Sequence, residues 1–330
     1  MKHRFVLWML TFGTLMLLTV SAGGQVTTGT IMGTVQDNSQ ANVPAAKVII
    51  TNTEKGTSQV YQSDESGLYN APFLIPGIYS VRVEKSGFQP QTHTGITLQV
   101  DQQVRIDFTL TVGAVTQEIT VTTAPPLVET QSSSLGQVIS QAPVENLPLN
   151  GRDFGNLVYL VAGVTPGVQG TDLGGFSTFN PRGTSDFNAL GSTGNGNAWL
   201  VDGIVDNEYS FNTILVKPSI ESIEEFKVLI GTFSAEFGRG PGVVSISTRS
   251  GNNNFHGSAM DFLRNTVFNA RNYFAAPTQR KPPYIRNQFE TTFGGPLVIP
   301  KLYDGHNHTF FFIDYFGLRQ IQGKIGRAHV

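Results

Sequence analysis

Short runs in which apolar and polar residues alternate recur along most of this chain, and a period of two is the pattern of a β-strand with one buried face. Val81 and Val83, for example, alternate with Arg82 and Glu84. Between residues 27 and 110, such runs are separated by turn residues at regular intervals. This spacing predicts a β-sandwich, in which two sheets bury their apolar faces against each other. The sequence therefore indicates a mainly β protein.

Composition excludes several classes of protein. The 330 residues are enough for two or three domains. The formal net charge is -2, so the chain has no excess of basic residues that would bind nucleic acid. We therefore expect no nucleic-acid partner. There is no cysteine, which excludes disulfides, thiolate metal sites and lipid attachment through a cysteine.

The N-terminus has the pattern of a secretory signal peptide. Basic residues 2–4 precede the apolar run 5–20, and Ser21 and Ala22 supply the small residues of a cleavage site. We assign residues 1–22 to this peptide. The alternative is an uncleaved membrane anchor, but the apolar run is short for a transmembrane helix. No later apolar run reaches about 18 residues, so a mature chain that spans a membrane has to do so as a β-barrel.

Two local patterns predict strands in the middle of the chain. Asp202 and Gly203 stand between apolar residues. This pair favours a type I′ hairpin, because both central residues of such a turn have positive φ, which Gly tolerates and Asp accepts better than most residues. In the next predicted strand, Lys227 lies on the face opposite to Phe226 and Val228.

A helix is predicted to start at Asn150. Asn is a favourable N-cap residue, and Asp153 then takes the third helical position. The apolar residues that follow share one helical face, and Gly163 ends the pattern. This face comprises Phe154, Leu157, Val158 and Val161. We expect the helix to pack against the strands and to carry no chemistry.

Four motifs stand in a fixed order in the second part of the chain. They are ENLPLNGRDFGNLVYLVAGVTP at 145–166, PRG at 181–183, LVDGI at 200–204 and IEEFKVLIGTFSAEFGRGPGVVSISTRSG at 223–251. In sequence and in order, these motifs resemble the plug domain of TonB-dependent outer-membrane receptors, most closely that of the Oar-like receptors. The resemblance implies an α+β plug over residues 143–251, with the plug-motif residues Arg182, Gly183, Asp202, Gly203, Glu236, Arg239 and Gly240.

A second resemblance concerns the N-terminal strands. Segments 33–52 and 64–88 resemble the carboxypeptidase-regulatory-like domain, a transthyretin-like (prealbumin-like) sandwich with a carbohydrate-binding-like fold. In the Oar-like receptors this domain stands ahead of the plug. The resemblance implies such a sandwich over residues 27–112.

Residues 113–142 are rich in Thr, Ser and Ala, which predicts an extended linker between sandwich and plug. Within the linker, an acidic residue is followed by β-branched residues, in the segment Glu118, Ile119, Thr120, Val121 and Thr122. The segment resembles the TonB box of the family, and its composition favours an extended strand that pairs with a partner. The alternative is that the same segment is the last strand of the sandwich.

After Asn252, the predicted strands become longer and more aromatic. On one of them, Phe289, Thr291 and Phe293 alternate with the polar residues Gln288, Glu290 and Thr292. On the other, Phe311, Ile313 and Tyr315 alternate with a row that includes Asp314. This is the pattern of a lipid face and a lumen face, although an ordinary soluble sheet gives the same pattern. Together with the plug resemblance, it implies the first strands of a transmembrane β-barrel over residues 252–324.

The barrel segment has room for about three spanning strands, against about eight for a closed barrel. We therefore expect the chain to be truncated. Residues 325–330, IGRAHV, read like a translated sequencing adapter, and we expect them to be an artefact.

No motif of an enzyme or a cofactor site is present. The glycine-rich loop 238–242 is interrupted by Pro241 and precedes a strand, unlike a dinucleotide-binding loop. His306 and His308 lack further ligands and are typical of a polar turn. We expect no enzymatic activity, no cofactor and no metal.

Arg182 and Arg239 are the candidates for a charge network that holds the plug against the barrel wall until transport. The candidate partners are the carboxylates of Glu221, Glu224, Glu225 or Glu236. The alternative is a pair of solvated arginines beside turns, because surface ion pairs contribute little.

The resemblance implies a receptor in contact with outer-membrane lipid, with the sandwich and the plug on the periplasmic side. Such a receptor binds an extracellular ligand, which this sequence does not identify; an oligosaccharide and a peptide are the candidates. It imports the ligand when the TonB-ExbB-ExbD complex displaces the plug with energy from the inner-membrane proton gradient. The alternative is an exported β-sandwich that binds carbohydrate or protein without transport.

Overall fold

The computed structural model describes residues 28–113, 119–122, 132–167, 187–192, 196–208, 214–237, 240–271, 273–274 and 281–323. Several predictions fall outside these ranges: the signal peptide, Glu118, the pair Arg182 and Gly183, Arg239, and the segment 325–330. Within these ranges, no helix is long and apolar enough to cross a membrane.

The N-terminal part of the chain forms a β-sandwich of two sheets. Its strands are β1 (Gly29–Asp37), β2 (Lys47–Asn52), β3 (Ser58–Gln62), β4 (Leu68–Leu74), β5 (Gly77–Glu84), β6 (Gln91–Leu98), β7 (Gln103–Arg105), β8 (Phe108–Leu110) and β9 (Ile119–Thr122). In one sheet, β1 pairs with β4 in antiparallel and with β7 and β8 in parallel orientation. The other sheet has the order β3-β2-β5-β6-β9. The predicted sandwich is confirmed.

One apolar core lies between the two sheets. Val81 and Val83 of β5 are fully buried, whereas Arg82 and Glu84 on the same strand are half-buried, as the alternation predicts. Each sheet contributes further core side chains, among them Ile31, Val35, Val48, Ile50, Leu98 and Phe108. Every buried member of this core lies between residues 31 and 110, so the sandwich has a core of its own.

Strand β9 is the edge strand of the second sheet. It runs parallel to β6, with Ile119 opposite Gln91 and Thr122 opposite Thr94. The segment that we compared with a TonB box is therefore paired with the sandwich, in the position of the alternative interpretation. Among the described strands, none pairs with the other edge of β9.

The middle domain is built on a five-stranded mixed sheet. Its elements are β10 (Gly136–Ser140), helix α1 (Gln141–Asn146), 3₁₀ helices Asn150–Arg152 and Phe154–Leu160, β11 (Val164–Pro166), β12 (Phe187–Ala189), β13 (Ala198–Val201), β14 (Ile204–Val205), 3₁₀ helix Ile220–Ser222, β15 (Ile223–Ile230), 3₁₀ helix Ala235–Phe237 and β16 (Gly242–Thr248). The sheet order is β10-β15-β16-β13-β14, and β13 runs parallel to β16. Strand β10 lies inside the predicted linker 113–142, so this sheet begins before residue 143.

The hairpin between β13 and β14 has the predicted turn. Asp202 has a φ of 49° and Gly203 a φ of 81°, and Val201 lies opposite Ile204. Both turn positions thus have the positive φ that a type I′ turn requires.

The prediction of an α-helix that starts at Asn150 was wrong. Gly151 (φ 72°) and Arg152 (φ 52°) have left-handed backbone conformations, which an α-helix does not accept. A 3₁₀ helix begins instead at Phe154, and the Asp153 carboxylate accepts a hydrogen bond from Gly155 N at its start (2.9 Å). The predicted apolar face is confirmed, because Phe154, Leu157, Val158 and Val161 are all buried.

Both faces of the middle sheet are covered. On one face, Phe226 and Val228 of β15 pack in a core with Trp199 of β13 and the 3₁₀ helix Phe154–Leu160. Lys227 lies on the opposite face, as predicted, but only 3% of it is exposed. The sandwich contacts this second face at Glu225 and Lys227, and Leu200, Leu229 and Val243 form a small apolar cluster beside them.

The last part of the chain forms the C-terminal sheet. It comprises β17 (His256–Asn265), β18 (Tyr284–Pro296) and β21 (Phe310–Gln322), which are antiparallel in the order β17-β18-β21, and a small hairpin of β19 (Val298–Ile299) and β20 (Tyr303–Asp304). Phe293 lies opposite Ile313, and Thr291 lies opposite Tyr315. Directly opposite residues share a face, so Phe289 and Phe293 lie on the same face as Ile313 and Tyr315. The other face carries the polar row of β18, opposite a mixed row of β21 that comprises Phe312, Asp314, Phe316, Leu318 and Gln320.

Candidate functional site

The C-terminal sheet turns a polar face toward the middle domain. Arg286, Gln288, Glu290 and Thr292 of β18 stand on this face, and each is between 3 and 7% exposed. Phe293 on the opposite face of the same strand is 49% exposed. Buried polar groups need hydrogen-bond partners, and the middle domain supplies several of them.

Gly151 is the first point of contact. Its carbonyl oxygen accepts a hydrogen bond from Arg286 Nη2 (2.8 Å) and lies 3.5 Å from Gln288 Nε2. A Cβ atom on Gly151 would lie 2.8 Å from Arg286 Nη1, and the φ of 72° is itself one that favours glycine. The turn therefore approaches the sheet so closely that a side chain at Gly151 would displace Arg286.

Arg152 joins this turn to two other elements. Its Nη2 lies 2.7 Å from the Glu221 carboxylate, and both side chains are largely buried. The Arg152 guanidinium carbon is 3.8 Å from the ring centre of Phe262 on β17. A cation over an aromatic ring is attracted by the ring electrons, so Arg152 also binds the middle domain to the C-terminal sheet.

The 3₁₀ helix Ile220–Ser222 is the second point of contact. Glu221 N donates to Glu290 Oε1 (3.0 Å), and Ser219 Oγ donates to Asp314 Oδ2 (2.6 Å). The Ser219 hydroxyl also accepts a hydrogen bond from Ser222 N (3.2 Å) at the start of this helix. One short turn is thereby fixed to both β18 and β21.

These contacts between the middle domain and the C-terminal sheet are polar, apart from the contact of Arg152 with the Phe262 ring. A hydrogen bond to a charged group contributes about 1.5–3 kcal/mol net, because water takes the place of either partner when the two separate. The two surfaces can therefore part without exposing the core of the middle domain.

The sandwich contacts the opposite side of the middle sheet. Val100 N donates to the Glu225 carboxylate, and Lys227 Nζ donates to Asp101 O (3.2 Å). Burial raises the pKa of Glu225 to about 7, even though the Val100 N–H and Lys227 act to lower it. The Glu225 carboxyl is therefore a group that titrates near neutral pH at the contact between two domains.

A second contact joins the sandwich to the start of the C-terminal sheet. Lys55 Nζ donates to Ser250 Oγ (2.7 Å), and Asn253 N lies 3.4 Å from Glu54 O. Asn307, which precedes β21, donates its N–H to Asn253 Oδ1 (2.8 Å). Burial lowers the pKa of Lys55.

A cleft of about 670 Å³ separates the sandwich from the middle domain beside the Glu225 contact. Polar residues such as Gln102, Lys227 and Glu236 line the cleft together with apolar residues such as Phe73 and Leu229. The surface between these two domains is thus only partly closed.

The structure separates the predicted site residues. Glu221 lies at the contact with the C-terminal sheet, as the predicted charge network requires, whereas Glu225 faces the sandwich. Glu224 is exposed, and Glu236 lies exposed on the rim of the cleft. The proposed partners Arg182 and Arg239 lie outside the described residues, so the network with them stays a prediction.

The other predicted plug residues take structural positions. Asp202 and Gly203 form the tip of the hairpin, and Gly240 (φ 123°) packs against the backbone of Gly196. Sequence reasoning missed Gly151, Arg152 and the polar partners on β18 and β21. The polar row Arg286, Gln288 and Glu290 was a signal for them, because the other face of the same strand carries Phe289 and Phe293 and a polar row of this kind marks an inward face.

Among the described residues, no group of three His, Asp or Glu side chains is placed to hold a metal ion.

Three family models match successive parts of the chain. Residues 30–111 match the carboxypeptidase regulatory-like domain, residues 132–244 the TonB-dependent receptor plug domain, and residues 247–330 an outer membrane beta barrel domain. The chain belongs to the TonB-dependent receptors. From here on, the middle domain is called the plug and the C-terminal sheet the barrel wall. The barrel match includes residues 325–330, which we expected to be an artefact.

The TonB-dependent transporter Oar of Myxococcus xanthus is 29% identical to this receptor over 290 residues. The match covers 83% of this chain and 26% of Oar, so the chain spans about a quarter of the length of that relative.

Two solved structures also show likeness to this TonB-dependent receptor. A mutant of the ferric enterobactin receptor PfeA from Pseudomonas aeruginosa has a TM-score of 0.33 and 18% identity, over 50% of this chain and 22% of that one. A streptococcal ancillary pilin has a TM-score of 0.23 and 11% identity, over 27% of this chain and 34% of that one. At these scores the likenesses carry no argument, and the family membership rests on the sequence matches.

The plug and barrel domains locate this TonB-dependent receptor in the outer membrane, as predicted. The family consists of transporters and not of enzymes. The two domains also favour a receptor over the alternative of an exported β-sandwich that binds without transport.

Proposed function

We propose that the full-length receptor imports an extracellular ligand, an oligosaccharide or a peptide, when the TonB-ExbB-ExbD complex displaces the plug. The observation that carries this proposal is the polar contact between the plug and the barrel wall. Gly151, Ser219 and Glu221 meet that wall through hydrogen bonds. Since water replaces such partners, the proton-driven pull has to break only contacts of modest strength.

The proposal assigns a role to each part of the chain. Residues 1–22 direct export, the sandwich over 27–112 stands in the periplasm, and residues 113–142 connect it to the plug. The plug extends over 143–251, with β10 as an additional strand of its sheet, and 252–324 begin the barrel wall.

We assign the TonB-binding segment to residues Glu118–Thr122, whose described part is β9. The open edge of β9 presents main-chain N–H and C=O groups, and a strand of TonB can pair with them by edge addition. The chain then continues to β10, which is itself the edge strand of the plug sheet and pairs with β15. A pull on β9 therefore reaches an edge of the plug first.

Proline substitution in the full-length receptor tests this assignment. Proline has no N–H and restricts the residue before it, so Ile119→Pro or Val121→Pro should weaken pairing with TonB by about tenfold or more. The measurement is the yield of the receptor–TonB product after formaldehyde cross-linking in cells.

The matched controls are Ile119→Ala and Val121→Ala, which keep the N–H and should cross-link like the wild type. Barrel assembly is checked by heat-modifiable migration on a gel. Unchanged cross-linking of both proline variants would show that TonB binds elsewhere. Loss of the sandwich fold in those variants would instead favour β9 as a purely structural strand.

A further inference from the structure

The plug sheet has two buried faces of different character. Phe226, Val228, Val244 and Ile246 lie on the apolar face. On the face toward the sandwich, the same strands β15 and β16 carry the polar side chains of Glu225, Lys227, Ser245 and Ser247, which are between 1 and 8% exposed. Leu229 and Val243 stand on this face as well, in a small apolar cluster with Leu200. Permanent burial favours apolar side chains, because polar groups lose their hydration. Four buried polar side chains under a separate domain are typical of a contact that opens.

The hydrogen bonding of this face supports the same conclusion. Val100 N and Asp101 O of the sandwich bond to Glu225 and Lys227. The Ser245 hydroxyl, which is 1% exposed, has no hydrogen-bond partner among the described residues. The cleft of about 670 Å³ keeps part of the surface apart. Such a surface resembles a transient domain contact more than a core.

We propose that the sandwich is a releasable cap on the plug, and that ionisation of the buried Glu225 carboxyl loosens the cap. In the closed state, Val100 and Asp101 lie on β15, and the turn at Glu54 and Lys55 rests against Ser250 and Asn253. Release exposes Glu225 and Lys227 of the plug sheet to water. Neither a ligand nor transport is needed for this release.

The pH dependence follows from the groups around Glu225. Glu224 and Lys227 face it from the plug and Asp101 from the sandwich, and burial raises the pKa of Glu225 to about 7. When the cap leaves, water reaches the carboxyl and the pKa returns toward its ordinary value of 4.5. The closed state therefore binds the proton more tightly than the open state. The cap is held most firmly below pH 4.5 and is lost progressively as the pH rises through 7.

Hydrogen exchange of the full-length receptor in detergent tests the cap. Exchange is resolved to single amides and corrected for the intrinsic chemical rate at each pH. The Val100 amide reports closure, because its acceptor is an oxygen of the Glu225 carboxyl. The Gln102 amide is an internal control, because it donates to Gln99 O (3.2 Å) within the sandwich.

In the wild type, we expect the protection of Val100 to fall by up to about tenfold per pH unit between pH 4.5 and 7, with Gln102 unchanged. Glu225→Gln keeps an acceptor for the Val100 N–H but does not titrate, so Val100 should stay protected at every pH. The matched control Glu236→Gln removes an exposed carboxyl on the rim of the same cleft and should behave like the wild type.

A flat wild-type profile overturns the proposal, and so does an equal pH slope in Glu225→Gln. A parallel loss at Gln102 also overturns it, because the sandwich then unfolds locally and does not leave the plug. If Glu225→Gln fails to assemble, the two amides of the wild type decide the question by themselves.

Discussion

Asp202 connects two strands of the plug sheet whose residues are far apart in the chain. It stands at the tip of the β13–β14 hairpin, and its carboxylate accepts hydrogen bonds from Thr248 N (2.9 Å) and Thr248 Oγ1 (2.7 Å) at the end of β16. Asp202 N in turn donates to Ile246 O (2.9 Å). One side chain thus fixes both the turn and the parallel pairing of β13 with β16.

Asp202→Ala removes both acceptors and places a side chain without polar atoms at positive φ. We expect the plug to lose about 2–3 kcal/mol of unfolding free energy. The measurement is urea unfolding of the plug in the purified receptor, followed by the fluorescence of Trp199, which is 1% exposed. Asp202→Asn is the matched control, since Asn tolerates positive φ and keeps one acceptor, and it should lose about half as much. Equal midpoints for Ala and wild type would contradict this role.

At the scale of elements, we expect the sandwich to fold alone. All buried members of its core lie between residues 31 and 110. We expect segment 27–113, expressed by itself, to unfold on heating in one cooperative transition. Circular dichroism and calorimetry check this, and a broad transition without cooperativity would contradict it.

A longer segment, 27–122, measures what β9 adds. Because β9 is a short edge strand paired with β6, we expect both segments to fold and the longer one to melt at a higher temperature. If only the longer segment folds, β9 is an obligatory part of the sandwich and cannot serve as a segment that TonB withdraws.

Local sequence signals predicted most of the strands and few of the contacts between domains. Alternation at Val81 and Val83 and the pair Asp202-Gly203 depend on near neighbours in the chain, and both predictions are confirmed. The helix at Asn150 was wrong because a close approach by Arg286, 135 residues away, accompanies a left-handed turn at Gly151. No local pattern carries that information.

At the scale of the whole molecule, Arg286 holds the plug to the barrel wall. Arg286→Met keeps much of the side-chain volume but removes the charged hydrogen bond to Gly151 O, which contributes about 1.5–3 kcal/mol. We expect the plug to leave the barrel at least about tenfold more often. Conductance of the purified full-length receptor in planar lipid bilayers measures these openings.

Arg319→Met is the matched control. Arg319 is exposed on β21 opposite Asn287, on the face that points away from the plug, so its loss should leave the conductance unchanged. Equal opening frequencies in the Arg286 variant and the wild type would show that this contact does not retain the plug.

Among the described residues, the sandwich contacts later parts of the chain. Asp101 O receives its hydrogen bond from a residue 126 positions further on, and Glu54 O from one 199 positions further on. Since the N-terminal domain of a chain generally folds first, we expect the sandwich to be complete while the strands on which it will rest are still arriving. The docking of a finished sandwich on the plug is then a late step in the biogenesis of the receptor.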